Sequence, residues 1–194
     1  MTTDQQVPAN QPPVFGLVGW HNAGKTTAMV NLVEELTGRG LDVSTIKHAH
    51  HGFDVDQPGK DSYRHRSAGA TEVLVASDRR WALMHELYGR PEPDLDTLLG
   101  RLAPVDLVIV EGFKHAAIPK LEIYRPAPDN DAQAKLLACD DPHIIAVAAA
   151  DPGQLPDLPD RDIVVLDLAD RRAIADFIMT NCGLKPPQLH QARL

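Results

Sequence analysis

"GWHNAGKTT", residues 19–27, decides how this chain is read. It contains Gly19-x-x-x-x-Gly24-Lys25-Thr26, the full phosphate-loop pattern. Glycines let the backbone turn so that successive N–H groups face inward around phosphate oxygens. A helix starting near Lys25 adds its positive end. Lys25 would reach the β- and γ-phosphates, and the Thr26 hydroxyl would ligate Mg2+. The whole run Gly19, Trp20, His21, Asn22, Ala23, Gly24, Lys25, Thr26 and Thr27 is therefore the candidate nucleotide loop.

Its flanks agree. "VFGLVG" (14–19) is a short apolar strand ending in glycine. "KTTAMVNLVEELTGRG" puts Met29, Leu32, Val33 and Leu36 at helical spacing, with Gly38 or Gly40 to close the helix. "LDVSTIK" (41–47) returns as a strand, and a loop then runs to a short helix "SYRHRSAGA" that Asp61 could cap. "TEVLVAS" and "RWALMHEL" follow as two strand-like runs and "PEPDLDTLLGRL" as a short helix entered through proline, and an antiparallel strand extension to the main sheet is expected. "VDLVIVEG" (105–112), "KLEIYRP", "HIIAVAAAD" and "DIVVLDL" supply four more strands. "DRRAIADFIMTNCG" is a closing helix capped by Asp170. The expected fold is α/β: a P-loop NTPase with a mostly parallel sheet and helices on both faces. Residues 1–13 read as a disordered polar arm, 14–182 as one nucleotide-binding domain, and 183–194 as a loosely held tail.

Bulk properties narrow the function classes. The 194 residues carry a net charge of −8, which argues against generic nucleic-acid binding. No apolar run approaches the roughly 20 residues that cross a bilayer, and the start has neither the basic nor the apolar region of a signal peptide. The two cysteines, Cys139 and Cys182, form no C-x-x-C pair, which fits a reducing cytoplasm.

A second acid should complete the magnesium shell at the end of a buried strand. Glu111 stands there in "VDLVIVEG", with Gly112 leaving room for a γ-phosphate. Asp54 and Asp56 follow the second strand, where switch loops meet Mg2+; Asp54 is the preferred further magnesium acid. Asp61 either positions water or caps the next helix. Lys25, Asp61 and Glu111 are the candidate catalytic set. Asp151 ends a late strand, where a carboxylate can accept from guanine N1 and N2 but has no comparable pairing with adenine; this favours GTP. The plainer alternative is a turn acid before Pro152.

Residues 47–66 are locally basic in an acidic chain. Lys47, Lys60, Arg64 and Arg66 accompany His48, His50, His51 and His65. Three readings stand for the histidines: anion binding, switch packing and metal ligation. No cysteine accompanies them, and the neighbouring cations favour an anion, such as phosphate or a phosphorylated pterin, held by His50, His51, Lys60, Arg64 and Arg66. Arg64 and Arg66 taken alone would read as a solvated helix face.

"IKHAHHGFDVDQPGKDSYRHRSAGA", "GWHNAGKTT" and "DLVIVEGFK" together strongly resemble the molybdopterin-guanine dinucleotide biosynthesis protein B family. The resemblance covers about residues 14–170. It implies a GTP- and Mg2+-dependent adapter, usually a homodimer, with weak intrinsic GTPase activity. Its partner would be the guanylyltransferase that attaches GMP to the molybdenum cofactor, with molybdopterin-transfer and molybdoenzyme maturation proteins as further candidates. The pterin cofactor is a candidate ligand. Gly19, Gly24, Lys25, Thr26 and Thr27 carry over as the phosphate loop and Glu111 as the acid, whereas bulky Trp20 and His21 depart from the family's small residues. Slow hydrolysis is expected, because no arginine finger or catalytic glutamine can be assigned. The rival reading is a nickel- or zinc-delivery GTPase that uses the histidine cluster, and a small-molecule kinase comes third.

Overall fold

A computed structural model describes residues 11–49, 52–126 and 135–185. The strands are β1 (Val14–Val18), β2 (Val43–Lys47), β3 (Glu72–Ala76), β4 (Trp81–His85), β5 (Leu107–Glu111), β6 (Lys120–Tyr124), β7 (Ile144–Ala149) and β8 (Val164–Asp167). The helices are α1 (Lys25–Gly38), α2 (Asp61–Ser67), α3 (Leu95–Leu99) and α4 (Arg171–Asn181). The described residues group into two compact units, one drawn from 11–48 and 101–185 and the other from 49–100.

The first unit is a six-stranded sheet in the order β2-β5-β1-β6-β7-β8, with every neighbouring pair parallel. Parallel strands are covered on both faces, which explains why β5, "LVIVE", is buried at all five positions. One face packs Phe15, Leu17, Ile109 and Ile123 against Leu32 and Leu36 of α1 and Ile174 and Ile178 of α4. Each such fully buried side chain contributes about 1.5–3 kcal/mol. The other face packs Val18, Tyr124 and Val147 against Leu136 and Ala138, beside a single 3₁₀ turn, Leu137–Cys139. The two long helices thus share one face, and among the described residues of this unit a short turn packs on the other.

The helix ends follow local chemistry. At the end of α1, Gly40 adopts φ 87° and donates to the Thr37 carbonyl at 2.9 Å, so Gly40 rather than Gly38 makes the left-handed exit. Asp170 caps α4 as expected, accepting from the N–H groups of Arg172 at 3.1 Å and Ala173 at 3.0 Å.

The second unit contains α2, α3 and the antiparallel pair β3–β4, a two-stranded sheet of its own. Asp94 caps α3 through the Thr97 N–H at 2.9 Å.

Candidate functional site

Chain direction locates the site within the first unit. From β1 the chain leaves toward β2, past β5; from β5 it leaves toward β6, past β1. Ligands of open α/β sheets bind beyond the strand ends where such connections diverge. That crevice lies at the C-terminal ends of β1 and β5. In register there, Glu111 stands level with Leu17 on one side and Lys47 on the other.

The loop after β1 is shaped by backbone requirements. A Cβ on Gly19 would lie 2.5 Å from the Ile123 carbonyl oxygen, a contact no side chain can make. Asn22 takes φ 61° and Gly24 φ 96°, left-handed values that the turn into α1 demands. Gly24 is the N-cap of α1 and supplies no side-chain bond, and the first turn carries no acid. The opening N–H groups of a 14-residue helix are therefore left for an anion. Thr26 and Thr27 are exposed in that turn.

Lys25 Nζ donates to the carbonyls of Gly19 at 3.0 Å and Trp20 at 2.7 Å, so the lysine arches over its own loop. Burial lowers its pKa, Glu111 opposes that shift, and Lys114 and Lys47 reinforce it. Lys47 Nζ lies 3.3 Å from Glu111 Oε1. Lys25 thus feels two further ammonium groups, Lys47 and Lys114, beside the buried Glu111 carboxylate, a locally positive site within an acidic protein that is suited to a polyphosphate. Sequence reasoning had not assigned Lys114, although it ends the quoted "DLVIVEGFK". Its ammonium lies 5.1 Å from the centroid of the Trp20 ring, giving that bulky loop residue a cation–π partner. Gly112 has a local reason of its own: at φ 92° its Cβ would lie 2.8 Å from His48 Cβ.

Beyond the loop, a cavity of about 230 Å3 is lined by Gly24, Thr27, Asn31, Arg125, Ala150 and Leu168, among others. Arg125 is a second cation missed by sequence reasoning. Asp151 follows Ala150, but its carboxylate is occupied locally. It accepts from Gly153 N at 3.0 Å and Gln154 Nε2 at 2.6 Å, capping the 3₁₀ turn Pro152–Gln154.

The remaining expected residues belong to the second unit, and there the structure corrects several readings. Arg66 is not a solvated arginine: its side chain is 19% exposed. Its Nη2 donates to both Asp54 oxygens, at 3.0 and 2.8 Å, and its Nη1 to Glu86 Oε1 at 3.1 Å. Asp56 Oδ2 stands 3.7 Å from Nε. With its guanidinium shared among three carboxylates, Arg66 is a structural hub rather than an anion ligand. The same pairing lowers the Asp54 pKa and engages both oxygens that a magnesium role would need. Asp61 does not cap α2: Lys60 is the N-cap, while Asp61 is exposed in the first turn, 3.7 Å from Arg64. Lys60 and Arg64 are exposed. His50 and His51 lie outside the described residues. Among the described residues, no three His, Cys, Asp or Glu side chains are grouped to hold a metal ion.

Arg66→Ala should therefore loosen the second unit and leave the phosphate loop intact. Hydrogen exchange is expected to rise at least tenfold around residues 54–56 and 86, with GTP binding retained. Lysine should not restore protection, because an ammonium cannot reproduce the two-pronged pairing with Asp54.

The model of a family described as MobB, molybdopterin guanine dinucleotide synthesis protein B, matches residues 14–150. Over 169 residues the chain is 40% identical to the molybdopterin-guanine dinucleotide biosynthesis adapter protein of Escherichia coli (strain K12), covering 86% of this chain and 91% of that protein. The adapter protein so named in Haemophilus influenzae is 40% identical over 172 residues, covering 87% and 89% respectively. The crystal structure of Bacillus subtilis MobB matches with a TM-score of 0.64 at 27% identity, over 89% of this chain and 98% of that one.

Proposed function

This chain belongs to the molybdopterin guanine dinucleotide synthesis protein B family, and from that premise we propose that it is a GTP-binding adapter in the conversion of molybdopterin to molybdopterin guanine dinucleotide. The observation that carries the nucleotide part is the uncapped start of α1 facing Lys25, Lys47 and Glu111. The triphosphate lies along the loop 19–27 and takes over the hydrogen bonds that Lys25 now makes to the loop carbonyls. Thr26 and Glu111 would hold Mg2+, which would supply positive charge to the phosphates.

The base occupies the cavity between α1 and the end of β7, where Asp151 can still accept through its remaining lone pairs. Hydrolysis is weak, as the family resemblance implies, until a partner completes the site. The protein works as a homodimer in the cytoplasm, with the guanylyltransferase as its partner. Support for the dimer lies in the β3–β4 pair, which exposes Leu74 at 61%, Trp81 at 66% and Leu83 at 41%. No observation among the described residues favours metal delivery.

Calorimetry of GTP, GDP and ATP, with and without the guanylyltransferase, tests this reading. GTP is expected to bind more tightly than ATP and to change affinity when the partner is present. Glu111→Gln should abolish the gain in GTP affinity that magnesium provides while keeping magnesium-free binding. Equal affinity for GTP and ATP together with no partner effect would reject the adapter.

A further inference from the structure

β6 buries two ionisable side chains that the nucleotide site does not use: Lys120 is 1% exposed and Glu122 0%. A buried charge is costly unless it is fully paired, so what each one grips is informative. Lys120 Nζ donates to the Lys114 carbonyl at 2.7 Å and to Asp141 Oδ2 at 2.6 Å. Glu122 accepts from the N–H groups of Leu137 and Ala138, each at 2.9 Å. Residues two apart on a strand share a face. One face of β6 therefore clamps two separate segments, the loop after β5 and the turn before β7. Those segments border a cavity of about 300 Å3, at the lower end of small-molecule pockets.

Its lining has three kinds of surface. Val18, Leu137 and Ile144 are apolar, Lys114 and His115 bring cationic or hydrogen-bonding nitrogens, and Asp140 and Asp141 bring carboxylates. Asp141 is committed to the wall through Lys120 and the His143 N–H. Asp140 gives Oδ1 to Lys135, and among the described residues no donor claims its Oδ2.

We propose that this cavity is a second ligand site, for a flat heterocycle with a 2-amino-4-oxo edge that carries a phosphate. The ring lies on Val18, Leu137 and Ile144, its amino and ring N–H groups donate to Asp140, and the phosphate meets Lys114 and His115. The choice of heterocycle rests on the function proposed above. Pterins and guanine share that edge, and both occur in the dinucleotide product. Occupancy would also reach the nucleotide loop, because Lys114 both contacts Trp20 and acts electrostatically on Lys25.

The test is calorimetry on the full chain carrying Lys25→Ala, which disables the phosphate loop, with 6-hydroxymethylpterin monophosphate and GMP as separate probes. Saturable binding of either supports the site, and the probe that binds identifies the source. Adding His115→Ala and Asp140→Asn should weaken binding roughly tenfold or more, since each removes a hydrogen bond to a charged group. The same two substitutions in the otherwise unaltered chain should leave GTP affinity within twofold, which shows that the fold is intact. In a Trp81→Phe background, Trp20 fluorescence should change on adding the bound probe, and should not change when His115 and Asp140 are also replaced. Binding of neither probe, or binding indifferent to both substitutions, overturns the proposal. Loss of GTP binding by the unaltered chain would instead count against the function proposed above.

Discussion

Lys25→Ala is expected to remove measurable GTP binding, weakening it roughly a hundredfold or more, with little change in melting temperature. The magnitude follows from losing at least two hydrogen bonds between an ammonium and phosphate oxygens, each contributing about 1.5–3 kcal/mol. The retained stability follows from the direction of the Lys25 pKa. Burial, the largest influence, lowers it, and Lys114 and Lys47 lower it further against the pull of Glu111. A lysine whose folded pKa is depressed makes the protonated form a burden on the fold, one that lessens as pH rises through the folded value toward the unfolded one. Removing it forfeits two bonds to the carbonyls of Gly19 and Trp20 but relieves that repulsion. Calorimetry alongside thermal melting separates the two effects. Tight GTP binding by the variant would sink the phosphate-loop assignment.

The parts of the fold legible in the sequence are those set by local rules. The glycine–lysine loop and the apolar run before Glu111 are contiguous, and both appear in the structure where their residues place them. The Asp170 cap is equally local. What stayed hidden depends on partners distant in sequence. Arg66 reads as a surface arginine until Asp54 and Glu86, 12 residues before and 20 after, close around it. Asp151 sits where a base reader would, yet the turn it begins makes its first claim on the carboxylate. "KLEIYRP" reads as a strand, and nothing within it says where Lys120 and Glu122 go. Between β1 and β7 there is no wet face, so both charges are buried and must find partners. Only the strand order reveals this, and strand order is not written in any short stretch.

That burial leads to the largest stability effect expected outside the nucleotide loop. Lys120→Met should destabilise the chain by about 3 kcal/mol, near the lower bound for breaking one side of a buried ion pair, since Asp141 retains 20% exposure. For a chain of this size that corresponds to a fall in melting temperature of roughly 6–12 °C. Methionine fills most of the lysine's volume, so the loss comes from the orphaned Asp141 carboxylate and the unpaired Lys114 carbonyl rather than from a cavity. Adding Asp141→Asn removes the stranded charge while keeping an acceptor for the His143 N–H, and should recover part of the loss. Acid titration gives an independent reading of the same pair. Desolvation pushes the Asp141 pKa up, but Lys120 and the His143 N–H outweigh it and hold the carboxyl below its ordinary value. Its stabilisation is then complete above the unfolded-state value near 3.8 and disappears as pH falls through the lower, folded value. The unaltered chain should therefore lose more stability between about pH 5 and pH 2 than Asp141→Asn does. Equal acid sensitivity in the two, with Lys120→Met melting as the unaltered chain does, would show that β6 carries these charges without using them to hold the loop after β5.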